Sequence, residues 1–177
     1  MRGRFYFVTV GLLLLSYAHC AASSNRQLRI ARTFTASAEA AFGAWTDTAA
    51  IKQWFIYGAA VHWISDPLVE SKATGIFRWK LASDGNDVEV FSFHGTYRVF
   101  QPSLWLVFTW EWDSLPIPEV ELHGSTLVTI RFLSRGANTT LVLTQTGFQT
   151  EAARRAHERG WNRCMDGIAK VLAEQQR

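Results

Sequence analysis

The residues best suited to do chemistry in this sequence are His157 and Trp161, which lie four positions apart in a long helical pattern. On a helix, side chains at this spacing stack on one face. A histidine beside a carboxylate can act as a general acid or base. In the alternative that we favour, His157 forms a hydrogen bond to a nearby loop and positions Trp161.

Arg32 is a second candidate, because it shares strand parity with Ile30 and Phe34. A buried arginine needs an anionic partner. Such an arginine would clamp a ligand carboxylate. The alternative that we favour is an arginine at a strand edge whose head reaches solvent. The candidate partners within the protein are the carboxylates of Glu39, Asp66 and Glu111.

Aromatic side chains on one face of the predicted sheet indicate a lined cavity. They are Phe77, Trp79, Phe91, Phe93, Tyr97, Phe108, Trp110 and Trp112. One helix stripe needs fewer rings to cover it, although plain core packing is the alternative. Gly95 lies between two of these rings, and we expect its missing side chain to leave a gap near Trp54 and Phe55. Gln145 also has inward parity, either to orient a ligand carbonyl or as a satisfied core amide.

The predicted ligand site therefore combines rings from the sheet with polar groups from the last strand and the terminal helix. Its members are Trp54, Phe55, Trp79, Phe93, Tyr97, Phe108, Trp110, Gln145, His157 and Trp161. The sequence predicts no catalytic residue, no cofactor and no metal, because the histidines lack ligand spacing and there is no Gly-x-Ser-x-Gly or glycine-rich phosphate loop. Cys164 lies within an apolar stripe, which favours a small core residue over a reactive thiol.

Charge excludes nucleic acid as a partner. The 177 residues carry 18 Lys+Arg against 15 Asp+Glu, a net charge of +3. Arg2 and Arg4 account for two of the basic residues, so the rest of the chain is nearly neutral and has no basic stripe. With 48% hydrophobic residues, the chain has enough apolar side chains for a single core.

The amino terminus predicts an export signal over residues 1–24. Arg2 and Arg4 precede an apolar run over 5–18, and small residues follow at 21–24. This is the plan of a secretory signal, and the apolar run is too short for a normal transmembrane helix. The alternatives are a retained membrane anchor or a start site annotated too far upstream, which would leave the protein cytoplasmic. Residues 25–177 form the predicted domain.

Periodicity along this domain predicts an α+β fold. A strand over 28–35 precedes two short helices near 38–55, and strands follow at 61–64, 75–82, 88–100, 105–112, 125–134 and 139–147. The segment 113–122 has the prolines of a loop. From Thr150 to Gln175, apolar residues follow helical spacing. A sheet with one apolar face needs a cover, so we expect a curved antiparallel sheet of about seven strands around this terminal helix.

Several short motifs occur in an order that points to a known family. They lie at 32–34, 44–47, 51–55, 95–97, 106–112, 125–130, 143–148 and 157–161. The series resembles bacterial homologues of the activator of heat shock protein 90 ATPase, which belong to the START-like helix-grip (SRPBCC) superfamily. The resemblance covers about residue 28 to the end and implies the helix-grip fold. Superfamily members often bind apolar ligands, and the family reads as mostly cytoplasmic.

Three functions fit these observations. The favoured one is a non-catalytic binder of a small hydrophobic molecule, held in a cavity between the sheet and the terminal helix. The second is a co-chaperone-like protein that contacts a chaperone or other protein through its surface, without the separate amino-terminal domain of the eukaryotic activator. The third is an enzyme of the polyketide-cyclase type, which needs an acid/base pair inside the cavity.

Overall fold

A computed structural model of the chain describes residues 26–114 and 124–177. Within them the predicted element order is confirmed. The predicted export segment and all but the first two residues of the predicted loop over 113–122 lie outside the described residues. The elements are β1 (Leu28–Phe34), α1 (Ala38–Thr46), α2 (Thr48–Trp54), β2 (Val61–Trp63), β3 (Leu68–Val69), β4 (Ile76–Ser83), β5 (Asn86–Gln101), β6 (Trp105–Ser114), β7 (Thr126–Arg135), β8 (Asn138–Thr146) and α3 (Glu151–Glu174).

The strands form one antiparallel sheet in the order β1-β8-β7-β6-β5-β4-β2, and β3 pairs with β4 beside this path. The predicted α+β helix-grip fold is confirmed, with eight strands where we expected about seven. The additional strand is Leu68–Val69, which directly follows Pro67 and is too short to show periodicity. Register shifts within β5 bend the sheet around α3.

Side-chain caps set where the three helices begin. The hydroxyl of Ser37 accepts a hydrogen bond from the backbone N–H of Ala40 at 3.1 Å and opens α1. Asp47 caps α2 and Thr150 caps α3 in the same way. Each cap satisfies a backbone donor that the first helical turn leaves without a partner.

Helix α3 lies across the concave face of the sheet and buries the apolar residues that follow helical spacing. The buried residues of the helix are Ala153, His157, Trp161, Cys164, Met165, Gly167, Ile168, Val171 and Leu172. At Gly167 the helix approaches α2 so closely that an added Cβ would lie 2.5 Å from the backbone oxygen of Trp54. No helix in the described part of the chain is long and apolar enough to cross a membrane.

Gly95 lies at a close contact, so the expectation that it opens a gap is wrong. It pairs with Phe77 on the neighbouring strand. A Cβ at this position would lie 2.5 Å from the Phe77 ring and 1.9 Å from the backbone oxygen of Thr109. The Phe77 ring therefore occupies the space that the missing side chain leaves. Glycine is needed here because two strands and a ring meet.

Candidate functional site

A cavity of about 520 Å³ lies between the sheet and α3 and opens to solvent. Its volume falls within the range of about 300–1,000 Å³ that is typical of ligand pockets. The segment between α2 and β2 forms one wall, α3 forms the opposite wall, and rings from β5 and β6 form the floor. The lining residues are Phe55, Gly58, Ala59, Ala60, Val61, Leu81, Phe91, Phe93, Trp110, Trp112, Ala156, His157, Arg159, Gly160, Trp161, Arg163 and Cys164.

The floor of the cavity is a set of rings held in contact with one another. Phe93 and Trp110 are stacked with their centroids 4.3 Å apart. Trp110 meets Trp161 edge-on at 5.0 Å, and Phe55 lies 5.3 Å from Phe93. Such contacts add to the area that each ring buries and limit its movement. The floor is therefore apolar and preformed.

Half of the predicted site lies on this cavity wall. Phe55, Phe93, Trp110, His157 and Trp161 line it. The other predicted residues lie outside the wall: Trp54, Trp79, Tyr97, Phe108 and Gln145. Ligand contact by any member of the predicted set stays a prediction.

The predicted rings outside the wall form a packed layer of the core. Trp54 is fully buried, and its indole Nε1 donates a 2.6 Å hydrogen bond to the backbone oxygen of Ala44. Trp79 packs edge-on to Phe55 at 4.8 Å and so lies behind a cavity residue. Burial raises the pKa of the Tyr97 phenol well above its ordinary value. Parity alone could not separate this layer from the cavity floor.

Gln145 is a satisfied core amide. It is fully buried, and its Nε2 donates a hydrogen bond of 2.8 Å to the hydroxyl of Thr126. Its Oε1 accepts a hydrogen bond of 2.6 Å from the indole Nε1 of Trp161. Both ends of the amide are engaged within the protein, so Gln145 orients Trp161 and leaves that ring to form the wall.

His157 is buried, and both of its ring nitrogens have partners. Its Nδ1 lies 3.0 Å from the backbone oxygen of Ala153, and its Nε2 accepts from the indole Nε1 of Trp112 at 3.3 Å. These partners fit a neutral imidazole with its proton on Nδ1. Burial lowers the pKa of His157, which keeps the ring neutral. None of the carboxylates in the described residues contacts it.

Arg32 pairs with Asp166 of α3, so our expectation of Glu39, Asp66 or Glu111 as its partner is wrong. The Arg32 side chain keeps a third of its surface exposed, as a strand-edge arginine does. The pair joins β1 to the exposed side of α3, away from the cavity lining. Sequence parity could not reveal this partner, because Asp166 lies on an element far along the chain.

The small residues of the cavity wall had no signal in the sequence. Gly58, Ala59 and Ala60 follow α2 and border the cavity with their backbone and small side chains. On α3, Gly160 faces the cavity, and a Cβ added there would meet no neighbouring atom within 4 Å. These positions shape the cavity because they lack bulk, which hydrophobic periodicity does not detect.

The other side chains that could take part in chemistry have partners within the protein or are buried. His62 of β2 lies 3.3 Å from Asp84, in the turn after β4, and 3.0 Å from Asp87 of β5. His94 lies in the same way beside Glu111 and Asp113. Neither set forms a group that could hold a metal ion in the described residues. Burial raises the pKa of the Cys164 thiol to about 12, which disfavours the reactive thiolate.

Solved structures with this architecture come from several bacteria. A protein from Silicibacter pomeroyi described as AHSA1 is 21% identical, with a TM-score of 0.71, over 84% of this chain and 99% of that one. Protein CV1439 from Chromobacterium violaceum is 18% identical, with a TM-score of 0.69, over 83% and 96%. A Rhizobium leguminosarum protein is 20% identical, with a TM-score of 0.68, over 84% and 94%. These likenesses support the fold.

The comparison with curated proteins gives no match. The family model described as activator of Hsp90 ATPase homolog 1-like protein matches residues 35–173, which span α1 to the last turn of α3. The match includes the whole cavity wall and confirms the resemblance that the ordered motifs predict. The chain therefore belongs to the family of activator of Hsp90 ATPase homolog 1-like proteins.

Proposed function

We propose that this protein is a non-catalytic binding protein for a small apolar ligand, which it holds in the cavity between the sheet and α3. The observation that carries the proposal is an open, aromatic-walled cavity of about 520 Å³. Within it, the side-chain polar groups of His157 and Trp161 already have protein partners. A ligand that needs few polar contacts fits such walls.

The energetics support an apolar ligand. Transfer of apolar surface from water into such a cavity contributes roughly 25 cal/mol per Å². The stacked rings of Phe93 and Trp110 are already in position, so little ordering cost opposes binding. Affinity should follow the apolar area that the ligand buries. Native mass spectrometry of the purified protein would test for a co-purifying lipid-sized molecule.

A cavity-filling variant tests the site directly. In Gly160→Leu the added side chain extends into open space on the cavity wall. We expect the folded variant to lose saturable quenching of tryptophan fluorescence by apolar ligands. The matched control is Gly43→Leu, which also adds a side chain at an open helical glycine but lies outside the cavity lining. Unchanged titrations in folded Gly160→Leu would contradict this site.

An enzymatic function of the polyketide-cyclase type is less well supported. That chemistry needs an acid or base inside the cavity. His157 is the candidate for this role among the lining residues, but its two ring nitrogens already contact the backbone oxygen of Ala153 and the indole of Trp112. Activity against polyketide-like substrates that is lost in His157→Gln would favour the enzyme over the binder.

A co-chaperone-like role is a second candidate, because one strand of the sheet and a nearby turn have exposed apolar side chains. Leu133 of β7 is 50% exposed, and Leu104, in the turn between β5 and β6, is 63% exposed. Beside them, the Arg131 guanidinium lies 5.4 Å from the centre of the Trp105 ring. If this surface binds a chaperone, Leu104→Lys with Leu133→Lys should abolish binding to a purified heat shock protein 90 and leave ligand titrations unchanged.

A further inference from the structure

The mouth of the cavity has two cations that the apolar interior does not require. Arg159 and Arg163 both line the cavity, and both are exposed on α3 one helical turn apart. The aliphatic stem of Arg163 lies against Gly58, because a Cβ added to that glycine would be 3.8 Å from its Cγ and Cδ. The stem of Arg163 therefore reaches from α3 to the opposite wall, and the residue is exposed to solvent.

These two arginines differ from the other arginines near them. Arg154 contacts Glu151 at 2.9 Å and Glu158 at 3.1 Å, and Arg155 contacts Glu151 at 3.0 Å. Across the described residues, neither Arg159 nor Arg163 has a carboxylate within ion-pair distance. Two like charges at this helical spacing repel each other. An anion between them would relieve that repulsion.

Several carboxylates on the elements around the mouth have partners within the described residues. On α3, Glu158 pairs with Arg154 and Asp166 pairs with Arg32. The ring of His62 lies 3.3 Å from Asp84, in the turn after β4, and 3.0 Å from Asp87 of β5. The segment over 58–61, which faces the two arginines, has no charged side chain. Among the residues that line the cavity, the charged side chains are Arg159 and Arg163, so the lining itself contributes positive charge.

We propose, on the basis of the proposed function, that the natural ligand is an amphipathic anion. Its apolar body lies against the rings of Phe93 and Trp110 in the floor and of Trp161 in the wall. Its acidic head lies at the mouth, between the guanidinium groups of Arg159 and Arg163. Guanidinium groups match carboxylate and sulfonate oxygens because their N–H groups form a planar fork. A neutral or cationic ligand of the same shape binds more weakly.

Two dyes that share one ring system separate this inference from the proposed function. 1-Anilinonaphthalene-8-sulfonate is anionic, and N-phenyl-1-naphthylamine is its neutral counterpart. We expect the wild-type protein to bind the anionic dye more tightly, with an affinity that falls as NaCl rises. The double variant Arg159→Gln, Arg163→Gln should lower the affinity for the anionic dye on the order of tenfold and leave the affinity for the neutral dye unchanged.

Two control variants define the outcome. Arg155→Gln removes an exposed arginine of the same helix outside the cavity lining, and should leave both dyes unaffected. Gly160→Leu should abolish both signals, which assigns them to the cavity. The proposal of an amphipathic anion would be overturned if the protein binds both dyes equally, or if the double variant binds the anionic dye as tightly as the wild type does. Either result would leave the proposed apolar ligand site unaffected. Binding of neither dye to the wild-type protein would overturn both.

Discussion

The indole Nε1 of Trp161 donates a hydrogen bond of 2.6 Å to the side-chain oxygen of Gln145, and both residues are buried. Gln145 in turn donates to the hydroxyl of Thr126 at 2.8 Å, and that hydroxyl donates to the backbone oxygen of Trp110. The chain of hydrogen bonds links β8, β7 and β6 to α3. It fixes the orientation of Trp161, which also packs against the Trp110 ring in the cavity floor.

We expect Gln145→Leu to destabilise the protein, although leucine has a similar volume. The substitution leaves the Trp161 N–H buried without an acceptor, which costs about 1–3 kcal/mol. Chemical denaturation gives the change in the free energy of unfolding. Trp161→Phe removes the other partner, and we expect the double variant to lose less stability than the sum of the single losses. Additive losses would show that the two side chains are not coupled.

Two glycines of α3 should respond to alanine in opposite directions. At Gly160 an added Cβ meets no neighbouring atom, so Gly160→Ala should gain roughly 0.5–1 kcal/mol from helix propensity. At Gly167 the same atom would lie 2.5 Å from the backbone oxygen of Trp54. Gly167→Ala should therefore cost about 1–3 kcal/mol, because α2 and α3 must separate. Thermal melting of both variants tests this, and a stabilised Gly167→Ala would contradict the close packing.

The amino terminus gives a separate prediction. Arg2 and Arg4, the apolar run over 5–18 and the small residues at 21–24 predict cleavage after about Ala22. Amino-terminal sequencing of the protein from its native host measures where the mature chain begins. A cytoplasmic product that is intact, or whose translation starts at an internal position, would contradict export.

The fold was predictable because the buried side chains follow the alternation of each strand and the spacing of each helix. On β8 the side chains of Leu141, Leu143 and Gln145 are buried and their neighbours are less so, as strand alternation requires. The α3 stripe follows helical spacing in the same way. The local sequence pattern predicts the element order, the covering helix and the family, and all three are confirmed.

The site was predictable only in part, because a pattern does not say what faces it. The sequence around Gly95 does not reveal whether the space beside this glycine is empty or filled. In the structure the Phe77 ring fills it. Arg32 finds its partner on α3, at a distance along the chain that parity cannot bridge. The wall over 58–61 contributes by its small side chains. Each of these features depends on a contact between distant elements.

His157 makes the stability of the protein depend on pH. An unperturbed histidine takes up a proton near its ordinary pKa of 6.5, and burial lowers the pKa of His157 in the folded protein. As the pH falls below about 6.5, the unfolded state therefore binds a proton that the folded state resists. The contribution of His157 to the free energy of unfolding is therefore fully present above pH 6.5. It decreases as the pH falls from there towards the lowered pKa of the folded protein.

We therefore expect the free energy of unfolding to decrease as the pH falls from 7.5 to 5, with a contribution from His157 of up to roughly 1.4 kcal/mol per pH unit. Urea denaturation at a series of pH values measures this slope. His157→Gln removes the titrating group while keeping a neutral hydrogen-bonding side chain. All other ionisable groups are the same in both proteins, so their contributions cancel in the difference. The variant should have a shallower slope than the wild type, because its buried side chain gains no charge. Equal slopes would show that His157 is protonated as easily in the folded protein as in the unfolded chain.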